Sequence, residues 1–443
     1  MSPALAAAEV ATTPSAARSV WTSPLYRGAT VALFLSGLGT SAAAPQITLF
    51  LVNDLHVSLT TAGLFYLTNI TAPLAGYLIG ARSDRSGKRL GLFRWCALAG
   101  FLGWVAMAFA DQVWMPFVIS AVVLAFSGAA GSQLFAAVHD DLQASASPVA
   151  DGVVSVVRMA LTAGWVVGPV LGSILATAAG SRVMLAATGL CGLAQIVPIG
   201  FARTGTAGRG ARTASTRLAS TPESGSVSES ASASESASES VPTPETPTGR
   251  LVRRPEFREM LPLLMFTGLY VLVYAGEPIK YGYLPIYMHD DIRLPTTVSG
   301  AVIGIQPLIE LILMPVAVIV ARRIGMMHLM VFGAAFGVGA NLCFALTGDA
   351  AGMFAGQILM GGVWGVFAAL GIIVAQRLLP HAVATASAVF MSSTAIASAL
   401  GGLTGGLGVS VLGLPHVFFA PALYGLVATI GITAISRSRF AVR

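Results

Sequence analysis

Residues 297–321 read TVSGAVIGIQPLIELILMPVAVIVA, an unbroken apolar run whose single ionisable side chain is Glu310, close to its middle. A helix needs roughly 20 mostly apolar residues to cross the hydrocarbon core of a bilayer, so this stretch is long enough to span one. The same pattern recurs along the chain. Five further runs follow or precede it in the second half, at 259–287, 325–347, 351–379, 382–413 and 415–436. Six lie in the first half, at 28–52, 59–81, 89–111, 113–137, 152–178 and 181–202. With 55% hydrophobic residues, 10% charged residues and a mean hydropathy of +0.78, the composition excludes an ordinary water-soluble domain. Unpaired backbone amides are intolerable in lipid, so these runs are predicted to be helices. The fold class is all-α: a polytopic membrane protein of twelve transmembrane helices in two six-helix bundles, 28–202 and 258–436. The long seventh and eleventh runs are expected to contain kinks or interfacial turns.

Basic residues set the expected orientation, because they collect on the cytoplasmic side of short loops. With the N-terminus inside, one side gathers Arg18, Arg27, Arg82, Arg85, Lys88, Arg89, the eight arginines from Arg203 to Arg258, Arg322, Arg323, Arg377, Arg437, Arg439 and Arg443. The other side has Arg182 and Arg293. Both termini are therefore expected in the cytoplasm and the chain in the plasma (inner) membrane. The net charge of +6 reports topology and not a nucleic-acid partner.

Residues 1–27 lack the charged, apolar and cleavage regions of a signal peptide and read as a cytoplasmic tail, as do 437–443. The polar stretch 203–257, with its Ser/Glu repetition, is too poor in large apolar residues to offset the entropy of ordering, and is predicted to be a largely disordered cytoplasmic linker. Cys96, Cys191 and Cys343 fall inside apolar runs at no metal spacing and read as packing residues. Gly87-Lys88-Arg89 lacks the context of an ATP-binding loop. His139-Asp140-Asp141 has no second histidine at ligand spacing and reads as a charged interfacial turn. No enzyme activity, cofactor or metal is expected.

The two halves share local features. The loop after the second run, Gly80-Ala81-Arg82-Ser83-Asp84-Arg85-Ser86-Gly87-Lys88-Arg89, has a reduced counterpart in Ala321-Arg322-Arg323-Ile324-Gly325. The fifth-run pattern Gly164-x-x-x-Gly168-Pro169-x-x-Gly172 is matched by Gly401-Gly402-x-x-Gly405-Gly406 in the eleventh. Small residues let helices approach closely, and Pro169 removes one backbone donor, favouring a bend. Gly80 is expected to permit such an approach, Asp84 to meet the positive end of a neighbouring helix, and the basic cluster to anchor at the cytoplasmic face.

The run G-x-x-x-D-R-x-G-K-R resembles the signature of the major facilitator superfamily. Longer stretches, APQITLFL (44–51), GLFYLTN (63–69), SQLFAAVHDDL (132–142) and VVRMALTAGWVVGPVLG (156–172), resemble the sugar efflux transporters, a bacterial branch of that superfamily. The likeness is densest in the first half. In the second, Gly300-x-x-x-Gly304 followed by Glu310 is similar to that branch's eighth span. The resemblance implies the major facilitator fold, a monomer, and sugar or glycoside substrates. The fifth-run motif resembles that of antiporters, although Ser155 stands where the longer form begins with glycine. An arginine common in the superfamily's fourth span is replaced by Leu124.

An ionisable group at the middle of a spanning helix costs roughly 2.5–3.5 kcal/mol on insertion scales, so those retained face a cavity or a partner. The candidates are Glu310, Glu277, Lys280 and Arg158, with Glu310 foremost for substrate or proton binding. Glu277 and Lys280, three apart around Pro278, are spaced to pair. Sugars present hydroxyls to amides and carboxylates, and apolar ring faces to aromatics. Gln46, Asn69, Gln133, Trp165, Tyr274, Tyr281, Gln306, Asn341, Gln357 and Trp364 are the further candidates. The expected function is secondary active export of sugars or small glycosides by alternating access, coupled to protons. Two alternatives remain at this point: a multidrug or amphipathic-compound exporter of the same fold, and a non-transporting membrane sensor or scaffold.

Overall fold

A computed structural model describes residues 16–145, 149–200 and 257–437. Among them no strand occurs, and twelve helical segments are long and apolar enough to cross a membrane. They run Pro24–Asp54, Leu59–Ser86, Arg89–Ala108, Trp114–Ala144, Gly152–Ala179, Ser181–Ile199, Phe257–Asp291, Thr296–Ile324, Met326–Leu346, Ala350–Leu378, Thr385–Leu412 and His416–Arg437. Twelve crossings return Arg437 to the end of the molecule where Pro24 starts, the terminal end. The tail beyond Arg437 and all of the linker except Phe257 lie outside the described residues.

Of the expected N-terminal tail 1–27, residues 1–15 lie outside the described residues, and residues 16–27 are helical for most of their length. Ala16–Thr22 is a helix and the first span already begins at Pro24, with the Ser23 hydroxyl accepting from the Tyr26 amide. The cause is burial: Val20, 1% exposed, joins Tyr26 in the core of the first half. The apolar pattern also underestimates the fourth span, which continues to Ala144 because polar groups near its end are tied to neighbouring helices.

Several spans are irregular where proline removes a backbone donor. The seventh breaks between Phe257–Tyr274 and Gly276–Ile286, because Pro278 has no N–H for the Tyr274 carbonyl. In the second span, Phe65–Thr71 tightens into a 3-10 turn just ahead of Pro73. The eleventh has no internal break: Val383–Leu412 is one helix, entered from a 3-10 turn at Pro380–Ala382.

The second half packs around one continuous cluster that includes Phe266, Tyr283, Phe344, Phe367 and Phe418. The core of the first half falls into two. One cluster around Leu33, Phe93, Leu134 and Val157 fills its terminal end. Another, around Phe50, Leu51, Met107 and Met184, fills the distal end. Large apolar side chains such as Leu102, Leu190, Ile312 and Ile430 are exposed on the outside, where lipid would cover them.

The halves meet at the distal end through glycine-lined contacts. A Cβ added at Gly300 would lie 2.9 Å from Val170 Cα, and one at Gly304 2.8 Å from the Val166 carbonyl oxygen. The pseudosymmetric contact joins the eleventh span to the second: a Cβ at Gly406 would lie 2.8 Å from the Thr60 oxygen, and one at Gly402 3.0 Å from the Gly63 oxygen. Tyr283 adds a hydrogen bond from its hydroxyl to the Leu59 carbonyl, 3.1 Å.

Candidate functional site

Below this distal seam, a cavity of about 430 Å³ opens between the two halves. The first half contributes Asn69, Arg158 and Trp165 to its lining. The second contributes Tyr274, Glu277, Tyr281, Gln306, Glu310 and Trp364. Nine residues singled out from sequence are thus brought around one space.

The helix break at Ala275 turns Glu277 inward, where it is 9% exposed. Its carboxylate accepts from Lys280 Nζ at 2.8 and 2.9 Å and from Trp364 Nε1 at 2.5 Å. Lys280 also donates to Gln306 Oε1 and sits 4.2 Å from the Tyr281 ring centroid, which places a cation over an aromatic face. Lys280 is wholly buried and does not line the cavity; it reaches that space through Glu277 and Gln306. Breaking such a buried pair leaves an uncompensated charge, so the network fixes Glu277 in place. Trp165 from the first half meets Tyr281 edge-on, with ring centroids 6.4 Å apart.

Glu310 lies one helical turn beyond Gln306 on the same face of the eighth span. It is half-buried and, among the described residues, forms no hydrogen bond or ion pair. Arg158, on the first-half wall, likewise has no such partner among the described residues. Opposite charges that remain uncommitted on two walls of one cavity are suited to hold a polar solute between them.

The other amides sit elsewhere. Gln46 is 5% exposed and donates to Ser173 Oγ at 3.1 Å, joining the first and fifth spans. Gln133, Asn341 and Gln357 are buried away from the cavity lining. Asn341 donates to the Gly337 carbonyl of its own helix at 2.8 Å. Sequence reasoning passed over Tyr66 and Ser398, which do line the cavity. Ser398 accepts from Asn69 Nδ2 at 2.8 Å, a hydrogen bond between the halves. Its signal was spacing: Ser398, Gly402 and Gly406 recur every four residues and share one helix face.

In the loop after the second span, Gly87 caps the helix with a φ of 64°, the left-handed conformation that glycine tolerates. Arg89 binds Asp84 at 2.9 Å, Ser83 at 3.0 Å and Asp140 at 2.7 Å, so it clamps the second, third and fourth spans together. Asp84 therefore meets the guanidinium of Arg89, the first residue of the third-span helix Arg89–Ala108. Asp141 accepts from the Tyr26 hydroxyl at 2.8 Å. Arg85 and Lys88 are exposed on the same loop. Gly80 makes no close approach, since an added Cβ would meet nothing within 4 Å. The face of the second span that carries Gly80 is open at this end.

The fifth-span glycines face the first span. A Cβ at Gly164 would lie 2.6 Å from Leu38 N, one at Gly168 2.6 Å from Leu38 O, and one at Gly172 2.7 Å from Ala42 O. Pro169 stands inside a helix that runs from Ala150 to Ala179. Its opposite face, Val166 and Val170, carries the distal contact with Gly300 and Gly304.

The family model described as Major Facilitator Superfamily matches residues 29–402. A chain from Deinococcus radiodurans is 27% identical over 410 residues, covering 91% of this chain and 96% of that one. Sugar efflux transporter A of Dickeya chrysanthemi is 24% identical over 382 residues, 85% of this chain and 87% of its own. Sugar efflux transporter A of Escherichia coli is 24% identical over 408 residues, 91% and 94%. Among solved structures, the nucleoside transporter NupG superposes with a TM-score of 0.73 at 14% identity, covering 94% of this chain and 100% of that one. A D-xylose-proton symporter gives a TM-score of 0.64 at 14% identity, with 92% and 96% covered.

Proposed function

The chain belongs to the Major Facilitator Superfamily, and from that premise we propose that it exports sugars or small glycosides across the plasma membrane in exchange for protons. Relatives named as sugar efflux transporters, matched over most of their length, support both the cargo and the direction. The observation that carries the reading is the cavity between the halves, lined by Arg158 from the first half, by Glu310 from the second, and by the aromatic side chains of Trp165, Tyr274 and Trp364. A sugar would set its hydroxyls against Glu310, Gln306 and Asn69, and a ring face against Trp165, Tyr274 or Trp364.

Transport proceeds by alternating access. In this conformer the distal seam is closed, so a solute reaches the cavity from the terminal end, which the basic loops assign to the cytoplasm. Opening that seam, while the terminal halves of the second and eleventh spans close, releases the solute outside. Proton binding at Glu310 in the outward-facing state cancels its charge and weakens its hold on both the sugar and Arg158, and so favours return.

Purified protein in proteoliposomes tests this. With Glu310→Gln, export driven by a proton gradient is expected to be lost, together with its pH dependence, while counterflow of labelled sugar with no gradient persists. Gradient-driven export at the wild-type rate would remove Glu310 from the mechanism. Counterflow of lactose, glucose and simple glycosides in the wild type establishes the cargo.

A further inference from the structure

The second span is wound in two ways. Leu59–Leu64 and Ala72–Ser86 are α-helix, and the residues between them, Phe65–Thr71, form 3-10 turns. Runs of this kind longer than about three or four residues are uncommon, and one in the middle of a helix often marks a hinge. Pro73 explains only the terminal turn of the segment. The Asn69 carbonyl has no N–H four residues on, so it takes the Ala72 amide three residues on. The carbonyls of Phe65, Tyr66 and Leu67 have amides at both distances, so their 3-10 pairing needs another cause.

Side chains supply it. In a 3-10 helix residues three apart eclipse one another, and here two such pairs are tied to different partners. Thr68 and Thr71 face the fourth span: the Thr68 hydroxyl pairs with that of Ser120 at 2.8 Å, and the Thr71 hydroxyl donates to the Ala121 carbonyl at 2.8 Å. Tyr66 and Asn69 face the cavity, and Asn69 Nδ2 donates across it to Ser398 Oγ at 2.8 Å. Asn69 stands where the second and eleventh spans part. On its distal side Gly402 and Gly406 lie against the Gly63 and Thr60 carbonyls; on its terminal side a Cβ at Gly76 or Gly80 would meet nothing within 4 Å. Asn69 is exposed to the cavity and Ser398 is 7% exposed, so a solute can reach the amide and displace this bond.

We propose that Phe65–Thr71 is a hinge worked by cargo through Asn69. A sugar hydroxyl that takes the Asn69 amide from Ser398 frees the distal turn of the segment, and the Phe65, Tyr66 and Leu67 carbonyls pass to the amides four residues on. Each residue that changes from 3-10 to α geometry shortens the rise by about 0.5 Å and unwinds the helix by about 20°. Three residues amount to about 1.5 Å and 60°. Leu59–Leu64 turns by that angle against the eleventh span, so the Thr60 and Gly63 carbonyls leave Gly406 and Gly402 and the distal seam opens over a loaded cavity. With the cavity empty, the bond to Ser398 keeps the segment wound and the seam shut. The inference rests on the alternating access proposed above and adds to it the residue through which occupancy is read.

The test uses the full chain in proteoliposomes, spin-labelled at Gln112 and Thr347 in the distal loops of the two halves, with lactose, glucose and methyl glucoside as probes. In the wild type, pulsed electron paramagnetic resonance is expected to show a long-distance population that rises when a carried sugar saturates the cavity. Ser398→Ala should raise that population about two- to tenfold without sugar, and sugar should then add less than about twofold, because Asn69 is already released. Pro73 is exposed and lines neither cavity nor seam. Pro73→Ala gives the Asn69 carbonyl a donor four residues on, which favours α over 3-10 winding and should open the seam without sugar by a similar factor. This variant carries the test even if Ser398→Ala does not fold. A wild type with no counterflow of any of the three sugars would overturn the proposed function and this inference with it. With counterflow intact, three results would each overturn the hinge alone: a wild-type seam that ignores sugar, a Ser398→Ala seam that answers sugar by the wild-type factor, or a Pro73→Ala seam at the wild-type population.

Discussion

Replacing Gly304 by alanine adds one methyl group to the distal seam. That carbon would lie 2.8 Å from the Val166 carbonyl oxygen, short of the 3.4 Å at which ordinary contact begins. The obstacle is backbone of a long helix, so no side chain can swing aside, and the two halves must part locally. Overpacking of this kind costs about 1–3 kcal/mol. When the seam opens, the methyl group meets nothing from the other half, so the whole cost falls on the distally closed conformer. The equilibrium then moves toward the open one by about 5- to 150-fold. Gly406→Ala, at 2.8 Å from the Thr60 oxygen, should act in the same sense, and the two together should act more strongly. Spin labels at Gln112 and Thr347, in the distal loops of the two halves, report the change as a growing long-distance population in pulsed electron paramagnetic resonance. Gly268→Ala is the control, since its Cβ would meet nothing within 4 Å. A Gly304→Ala distance distribution that matches the wild type would refute the idea that glycine backbone contact keeps this end shut.

Two further outcomes follow from the charged groups. Lys280→Met strands Glu277 in the interior and should cost about 3–5 kcal/mol in denaturant-based stability. Lys280→Met combined with Glu277→Gln should recover much of that, and a double variant as unstable as the sum of the singles would argue that the two groups are not coupled. Arg89→Ala removes the clamp to Asp84 and Asp140, but those carboxylates are 71% and 52% exposed, so the loss of stability should stay near 1 kcal/mol or less. Its effect should shrink further in high salt, measured by the shift in thermal denaturation.

The twelve spans were legible because lipid imposes a length and a composition that a stretch such as 297–321 meets without any knowledge of its neighbours. The break in the seventh was legible from Pro278, since the missing N–H acts locally. Rare intramembrane charges pointed to the cavity for the same energetic reason: Arg158, Glu277 and Glu310 line it, and Lys280 stands directly behind Glu277. Amides were harder to sort. Asn69 lines the cavity, whereas Gln133 and Asn341 lie apart from it, yet nothing in the immediate sequence separates them. Which face of a span turns toward the other half depends on crossing angles and on partners hundreds of residues away, as with Asn69 and Ser398.

The distal seam is joined by backbone against backbone, with hydrogen bonds at Tyr283 and Asn69. None of the ion pairs described above crosses it. Such a latch has little for dissolved ions to loosen, so changes in the ionic strength of the medium should leave that gate's resting poise nearly untouched. On the alternating-access cycle proposed above, command over it would pass instead to whatever occupies the space beneath, so that cargo, and not the salinity of the surroundings, would decide when the door moves.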